Sequence, residues 1–214
     1  MNLLFGQKLK HLMKKFVALL LLSIVFSCSK RTIKIGIQPY GDIDTTVLSS
    51  ISEILKTSYQ ADVYILDKTE LPKTAFTNIK SPRYRADSLL IDLKSHIPDS
   101  IDYILGITSK DISTTKRITD GSIKKPESKY QDWGIFGLGY KPGQSCVVST
   151  FRIKHVKTSL FKSRLQKIAV HEIGHNLGLD HCDTKKCVMQ DAVESINTVD
   201  LANFKLCNRC LDKI

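Results

Sequence analysis

The residues best suited to hold and activate a metal lie between Ile168 and Cys210, where three of the six histidines and four of the six cysteines are concentrated. His171 and His175 are separated by one helical turn. At 3.6 residues per turn they sit about 40° apart around a helix, so both imidazoles can converge on one ion, with Glu172 on the flank of the same face. Gly178 follows, and then His181. A glycine just past the last turn adopts positive φ at little steric cost, so the chain can bend sharply and return His181 to the same ion. Three neutral imidazoles leave a fourth position for water, the pattern of a catalytic zinc. Zinc lowers the pKa of such a water to about 7, and Glu172 is the candidate base that takes its proton during attack on a carbonyl. The pentapeptide His-Glu-x-x-His by itself can arise on any amphipathic helix; Gly178 and His181 at their spacing make the pattern specific.

Cys182 follows His181 directly, and Cys187, Cys207 and Cys210 complete a Cys-x4-Cys and a Cys-x2-Cys pair. Four thiolates in two close pairs can enclose a tetrahedral zinc and close it to water, which makes a structural site. Two disulfides or a redox pair are the alternative in an oxidising compartment.

The ten residues His171, Glu172, His175, Gly178, His181, Cys182, Cys187, Met189, Cys207 and Cys210 together resemble the extended signature of the archaemetzincins. Upstream, Tyr103 to Thr108 with Asp111-Ile112, and the Val147-Val148-Ser149 stretch, resemble that family more loosely. The resemblance implies a metzincin-like single domain of the α+β (mixed α/β) class: a mixed twisted sheet, an active-site helix and a zinc-clamped C-terminal subdomain. It implies two zinc ions, one catalytic on the three histidines and one structural on the four cysteines. It also implies that Met189 is the Met-turn methionine, packed beneath the histidines, and that the activity is peptide hydrolysis. One feature departs from the family. Its members are intracellular, whereas an exported chain must load zinc on four thiols where oxidation competes.

Several elements must position these groups. Leu165, Ala169 and Ile173 form an apolar stripe roughly opposite the histidines, which seats the active-site helix on a core. Ile33, Ile35 and Ile37 alternate with polar residues and glycine as a first strand; a helix is predicted over about Thr45 to Tyr59, and a strand around Val63 to Leu66. The stretch 71–85, with prolines at 72 and 82, reads as an exposed connection before a helix near Ala86 to Ser95. Tyr103 to Thr108 reads as a buried strand, and 109–129 as a mobile loop. The resemblance to metzincins implies that an edge strand somewhere between Trp133 and Thr150 forms the upper rim of the cleft and binds an extended peptide through its backbone. Cys146 is expected in the core, and His96 and His155 at the surface.

Residues 1–27 carry Lys8, Lys10, Lys14 and Lys15, no acidic residue, and an apolar run from Phe16 to Phe26. That run is too short for a span of about 20 residues and has the basic-then-apolar order of a secretory signal. Val25-Phe26-Ser27-Cys28 resembles a bacterial lipoprotein cleavage site, with Cys28 as the lipidated first residue of a 28–214 peptidase domain. The expected location is therefore the bacterial cell envelope, lipid-anchored and facing the periplasm or outer surface. Removing the four lysines takes the formal charge from +11 to +7, with basic residues scattered and no nucleic-acid module. Expected partners are a peptide or protein substrate and, through Cys28, the membrane; the chain is expected to act as a monomer. A non-catalytic zinc-dependent peptide-binding or structural lipoprotein is the competing reading, since one set of ligands serves several functions.

Overall fold

A computed structural model describes residues 31–192 and 195–214. The expected signal segment 1–27 and its expected lipidation site, Cys28, lie outside the described residues.

From Ile33 onwards the chain forms one compact unit around a five-stranded sheet. Strands β1 (Lys34–Tyr40), β2 (Asp62–Ile65), β5 (Tyr103–Thr108) and β9 (Ser145–Ser149) run parallel, and β8 (Gly137–Gly139) pairs antiparallel with β9, in the order β2-β1-β5-β9-β8. The period of two in the side chains sends Leu105, Ile107, Cys146 and Val148 to one face and Ile104 and Val147 to the other. Helix α1 (Thr45–Tyr59) packs on the first face through Val47, Leu48, Ile51 and Leu55; α2 (Ala86–Ser95) packs on the second through Leu89, Leu90 and Leu93. Covered on both faces, β5 and β9 read as near-continuous apolar runs, as parallel strands do. Asp44 caps α1 by accepting from the Thr46 amide at 2.7 Å, which accounts for the helix starting at Thr45.

Two expectations for the connections are corrected. The stretches 71–85 and 109–129 contribute β3 (Phe76–Thr77), β4 (Arg83–Arg85) and β6 (Ile112–Thr114), which join β7 (Trp133–Ile135) in a second sheet of order β3-β4-β6-β7. These strands have two or three residues each, too short for alternation to register in the sequence. Charge holds them in place. Asp111 accepts from Arg83 Nε at 2.8 Å and from Arg152 Nε and Nη2 at 2.6 and 2.8 Å, and Arg83 Nη1 donates to the Asp132 carbonyl at 2.8 Å. Buried carboxylates are tolerated when paired and hydrogen-bonded in this way.

After the one-turn helix α3 (Glu127–Tyr130), helix α4 (Thr158–Asn176) carries the histidine motif. Leu165, Ala169 and Ile173 are buried as the apolar stripe predicts, but so are Ile168, Val170, Glu172 and Gly174. The helix is enclosed by α1, β8, β9 and α5 (Ile196–Leu201), a more central place than one stripe implies. A last short helix, α6 (Asn208–Leu211), carries Cys210. No helix among the described residues is long and apolar enough to cross a membrane.

Candidate functional site

The turn after α4 is what brings the third histidine back. Gly178 has φ +92°; its amide donates to the His175 carbonyl and the Leu179 amide to the Gly174 carbonyl, each at 2.9 Å. This pair of bonds is the Schellman arrangement, which needs a residue at positive φ and so favours glycine. With the chain reversed, the rings of His171, His175 and His181 gather with centroids 4.6 to 5.3 Å apart. One nitrogen from each lies within 4.8 Å of the others.

Hydrogen bonds settle which nitrogens face inward. His171 Nδ1 lies 2.9 Å from the Val188 carbonyl and His175 Nδ1 2.8 Å from the Leu179 carbonyl. A carbonyl only accepts, so each Nδ1 carries the proton and each Nε2 presents a lone pair. The two Nε2 atoms are 3.0 Å apart. In a tetrahedral zinc shell with bonds of about 2.1 Å, neighbouring nitrogens lie roughly 3.4 Å apart, so these residues fit a zinc ion. Burial first, and His175 next, push the His171 imidazole down to about 3, and burial also lowers His175, so both rings are neutral and able to ligate.

Glu172 is 6% exposed, and burial alone pushes its carboxyl up to about 8. It lies directly under β8. A Cβ at Gly137 would stand 2.6 Å from Glu172 Oε1, and one at Gly139 would stand 2.7 Å from the Glu172 carbonyl. Only glycine at both positions lets the strand pass so close to the helix. Because β8 ends its sheet while β9 lies inside it, the expected edge strand is β8. A cleft of about 630 Å³ opens between this strand, α4 and α5, lined by all three histidines and Glu172.

Met189 is fully buried against α4 between the first two histidines: a Cβ added to Gly174 would meet its Sδ at 2.4 Å. Gly174 is thus the gap in the His-Glu-x-x-His turn that receives the methionine. Gly174→Ala is expected to destabilise the fold by about 1–3 kcal/mol through overpacking and to reduce the zinc bound at neutral pH. Thermal melting with metal quantification checks this; a variant as stable and as zinc-loaded as the parent would show that Met189 yields without consequence.

Cys182, Cys187, Cys207 and Cys210 form a second cluster, with Cys182–Cys207, Cys187–Cys210 and Cys207–Cys210 sulfur separations of 3.7, 3.8 and 3.7 Å. A disulfide requires about 2.05 Å, whereas four sulfurs about 2.3 Å from a tetrahedral zinc lie about 3.8 Å apart. The spacing fits a zinc ion. Burial raises the Cys187 and Cys210 thiols, whereas hydrogen bonding, that of Thr184 first, lowers Cys182 and outweighs burial to push Cys207 down to about 6. The remaining candidates stay away from the chemistry. Cys146 is fully buried with its thiol 3.8 Å from the Ile104 carbonyl; His96 caps α2 and His155 is exposed.

Features missed in the sequence reading are the carbonyls of Val188 and Leu179, the glycines of β8, and Lys167. Lys167 lies one turn before His171, on the metal-facing side of α4, and that periodicity was the available signal.

A helix-borne histidine pair with a third histidine returned by a tight turn, on a mixed α/β scaffold, defines a metallopeptidase site. The family description Peptidase family M54 matches residues 31–214. The chain is 32% identical over 185 residues to the archaemetzincin of Haloquadratum walsbyi, an alignment covering 82% of this chain and 96% of that one. The crystal structure of archaemetzincin from Archaeoglobus fulgidus, complexed with malonate, is similar with a TM-score of 0.67 and 28% identity, covering 85% of this chain and 100% of that one. That from Methanopyrus kandleri has a TM-score of 0.69 and 25% identity, covering 87% and 96%. The chain belongs to peptidase family M54, the archaemetzincins, which are zinc metallopeptidases.

Proposed function

We propose that this metallopeptidase binds its catalytic zinc on His171, His175 and His181, uses Glu172 as general base, and holds a second, structural zinc on Cys182, Cys187, Cys207 and Cys210. The convergence of three imidazoles beside a buried carboxylate, under the edge strand of the sheet, is the observation that carries this reading. When bound, the zinc supplies a Lewis acid with an open position and lowers the pKa of water there to about 7. An extended peptide pairs with the outer edge of β8, whose glycines let that strand run directly against Glu172. Glu172 takes the proton of the attacking water and returns it to the departing amine. Burial alone favours the neutral acid; a zinc ion held by the histidines would act the other way and favour the carboxylate that a base requires. Val188 and Leu179 keep His171 and His175 in the tautomer that ligates.

Residues 1–27 are proposed to be a lipoprotein signal and Cys28 the acylated anchor of a monomeric enzyme in the bacterial cell envelope. The basic and then apolar order of that segment supports this placement. Mass spectrometry of the N-terminal peptide from the native cell should find an acyl group on Cys28; an intact 1–27 segment would refute it.

The catalytic reading is tested by a peptide-library digest together with metal analysis. Cleavage should disappear on chelation, return with added zinc, and be absent in Glu172→Ala, and the parent should carry one zinc for each of its two ligand clusters. Cleavage that survives chelation would overturn the proposal.

A further inference from the structure

We infer that Lys167 forms a side-chain subsite of the cleft that selects an aspartate or glutamate of the peptide substrate. This rests on the cleft being the substrate site, as proposed above. Lys167 is 5% exposed and lines the cleft with Ile168, Val188, Thr198, Val199 and Ala202. Its ammonium donates to the carbonyls of Val199 at 3.1 Å and Asp200 at 2.9 Å, and stands 5.1 Å from the Phe204 ring centre. These groups orient the charge without neutralising it. The nearby carboxylate, Asp200, has both oxygens engaged by Arg164, at 2.7 and 2.6 Å.

Among the described residues this corner therefore holds two cations and one carboxylate, a net positive charge with most of its water removed. Such a charge is unfavourable when left uncompensated, and burial holds Lys167 below the ordinary lysine range. A substrate carboxylate entering between α4 and α5 supplies the missing counter-charge. Apolar walls exclude water there and strengthen the pairing, while a basic side chain is repelled. A purely structural lysine, capping the last carbonyls of α5, would affect stability and leave peptide preference unchanged.

The test uses full-length, zinc-loaded protein carrying Glu172→Gln, so that binding is measured without turnover. Trp133, the only tryptophan in the chain, lines the cleft and reports binding by fluorescence. Peptides carry a single glutamate stepped through each position, each paired with a glutamine control. One position is expected to favour glutamate by about 10- to 100-fold, the range of a charge-assisted hydrogen bond. Lys167→Met should abolish that preference and Lys167→Arg should retain it. If no position shows the preference, or if it persists in Lys167→Met, the inference is overturned. Should Lys167→Met fail to fold, the parent comparison decides, because equal binding of the glutamate and glutamine series overturns the subsite by itself. Hydrolysis of the same peptides by the unaltered enzyme is scored separately. A glutamate preference without hydrolysis would leave the subsite standing and remove the catalytic proposal.

Discussion

Glu172→Gln is expected to lower peptide hydrolysis by about 10²- to 10⁴-fold, the contribution of a positioned general base. Zinc content and melting temperature should stay near those of the unaltered enzyme. The reason lies in the packing. Glu172 is enclosed beneath Gly137 and Gly139, where a glutamine of the same shape fits and where burial already disfavours a charge. The amide removes the proton acceptor without opening a cavity or leaving an ion in an apolar place, so stability and catalysis separate in this one variant. Initial rates on a peptide cleaved by the parent, read beside zinc stoichiometry, provide the measurement. Hydrolysis within about threefold of the parent would assign the base elsewhere.

Cys207→Ser should remove the second zinc, lower the melting temperature by roughly 10 °C, and weaken zinc binding at the histidines by about 10- to 100-fold. The coupling is covalent and short. Cys182 adjoins His181, and its amide donates to the Met189 carbonyl at 2.8 Å. Cys187 adjoins Val188, whose carbonyl orients His171. One cluster of sulfurs thus pins both ends of the loop that carries His181, the carbonyl that orients His171, and the methionine packed against the helix. Cys207 is the variant to choose because it approaches Cys182 and Cys210 at 3.7 Å from a segment far from the histidines in sequence. Competition with a zinc-responsive chelator reads the affinity of each site. An unchanged histidine-site affinity would show that the loop holds its shape without the thiol cluster.

Local chemistry alone made the centre of this protein legible. The pairing of His171 with His175 follows from helix periodicity, the return of His181 from a glycine that tolerates φ +92°, and the helices at 45–59 and 86–95 from apolar spacing, the first also capped by Asp44. Each of these depends on residues within a few positions of one another, where backbone sterics and side-chain type decide the outcome. The match to family M54 over residues 31–214 agrees with that local reading.

Other features depend on which segments meet across the chain, and no local period encodes them. The strands of the second sheet are too short to alternate, and ion pairs between Arg83, Asp111 and Arg152, far apart in sequence, hold them together. Whether β8 or β9 forms the edge is a matter of sheet order, since both are short and apolar. The separation of the four sulfurs, too wide for disulfides and suited to an enclosed ion, appears only when 182–187 is brought against 207–210. Lys167 reads in the sequence as one more charged helical residue. It becomes a buried cation held on two backbone carbonyls because α5 folds across it, while Arg164 engages both oxygens of the neighbouring carboxylate. Residue spacing thus determined the convergence of the histidines and their helix; long-range packing decided the strand that borders the cleft, the gathering of the four thiols, and the charge left inside the cleft.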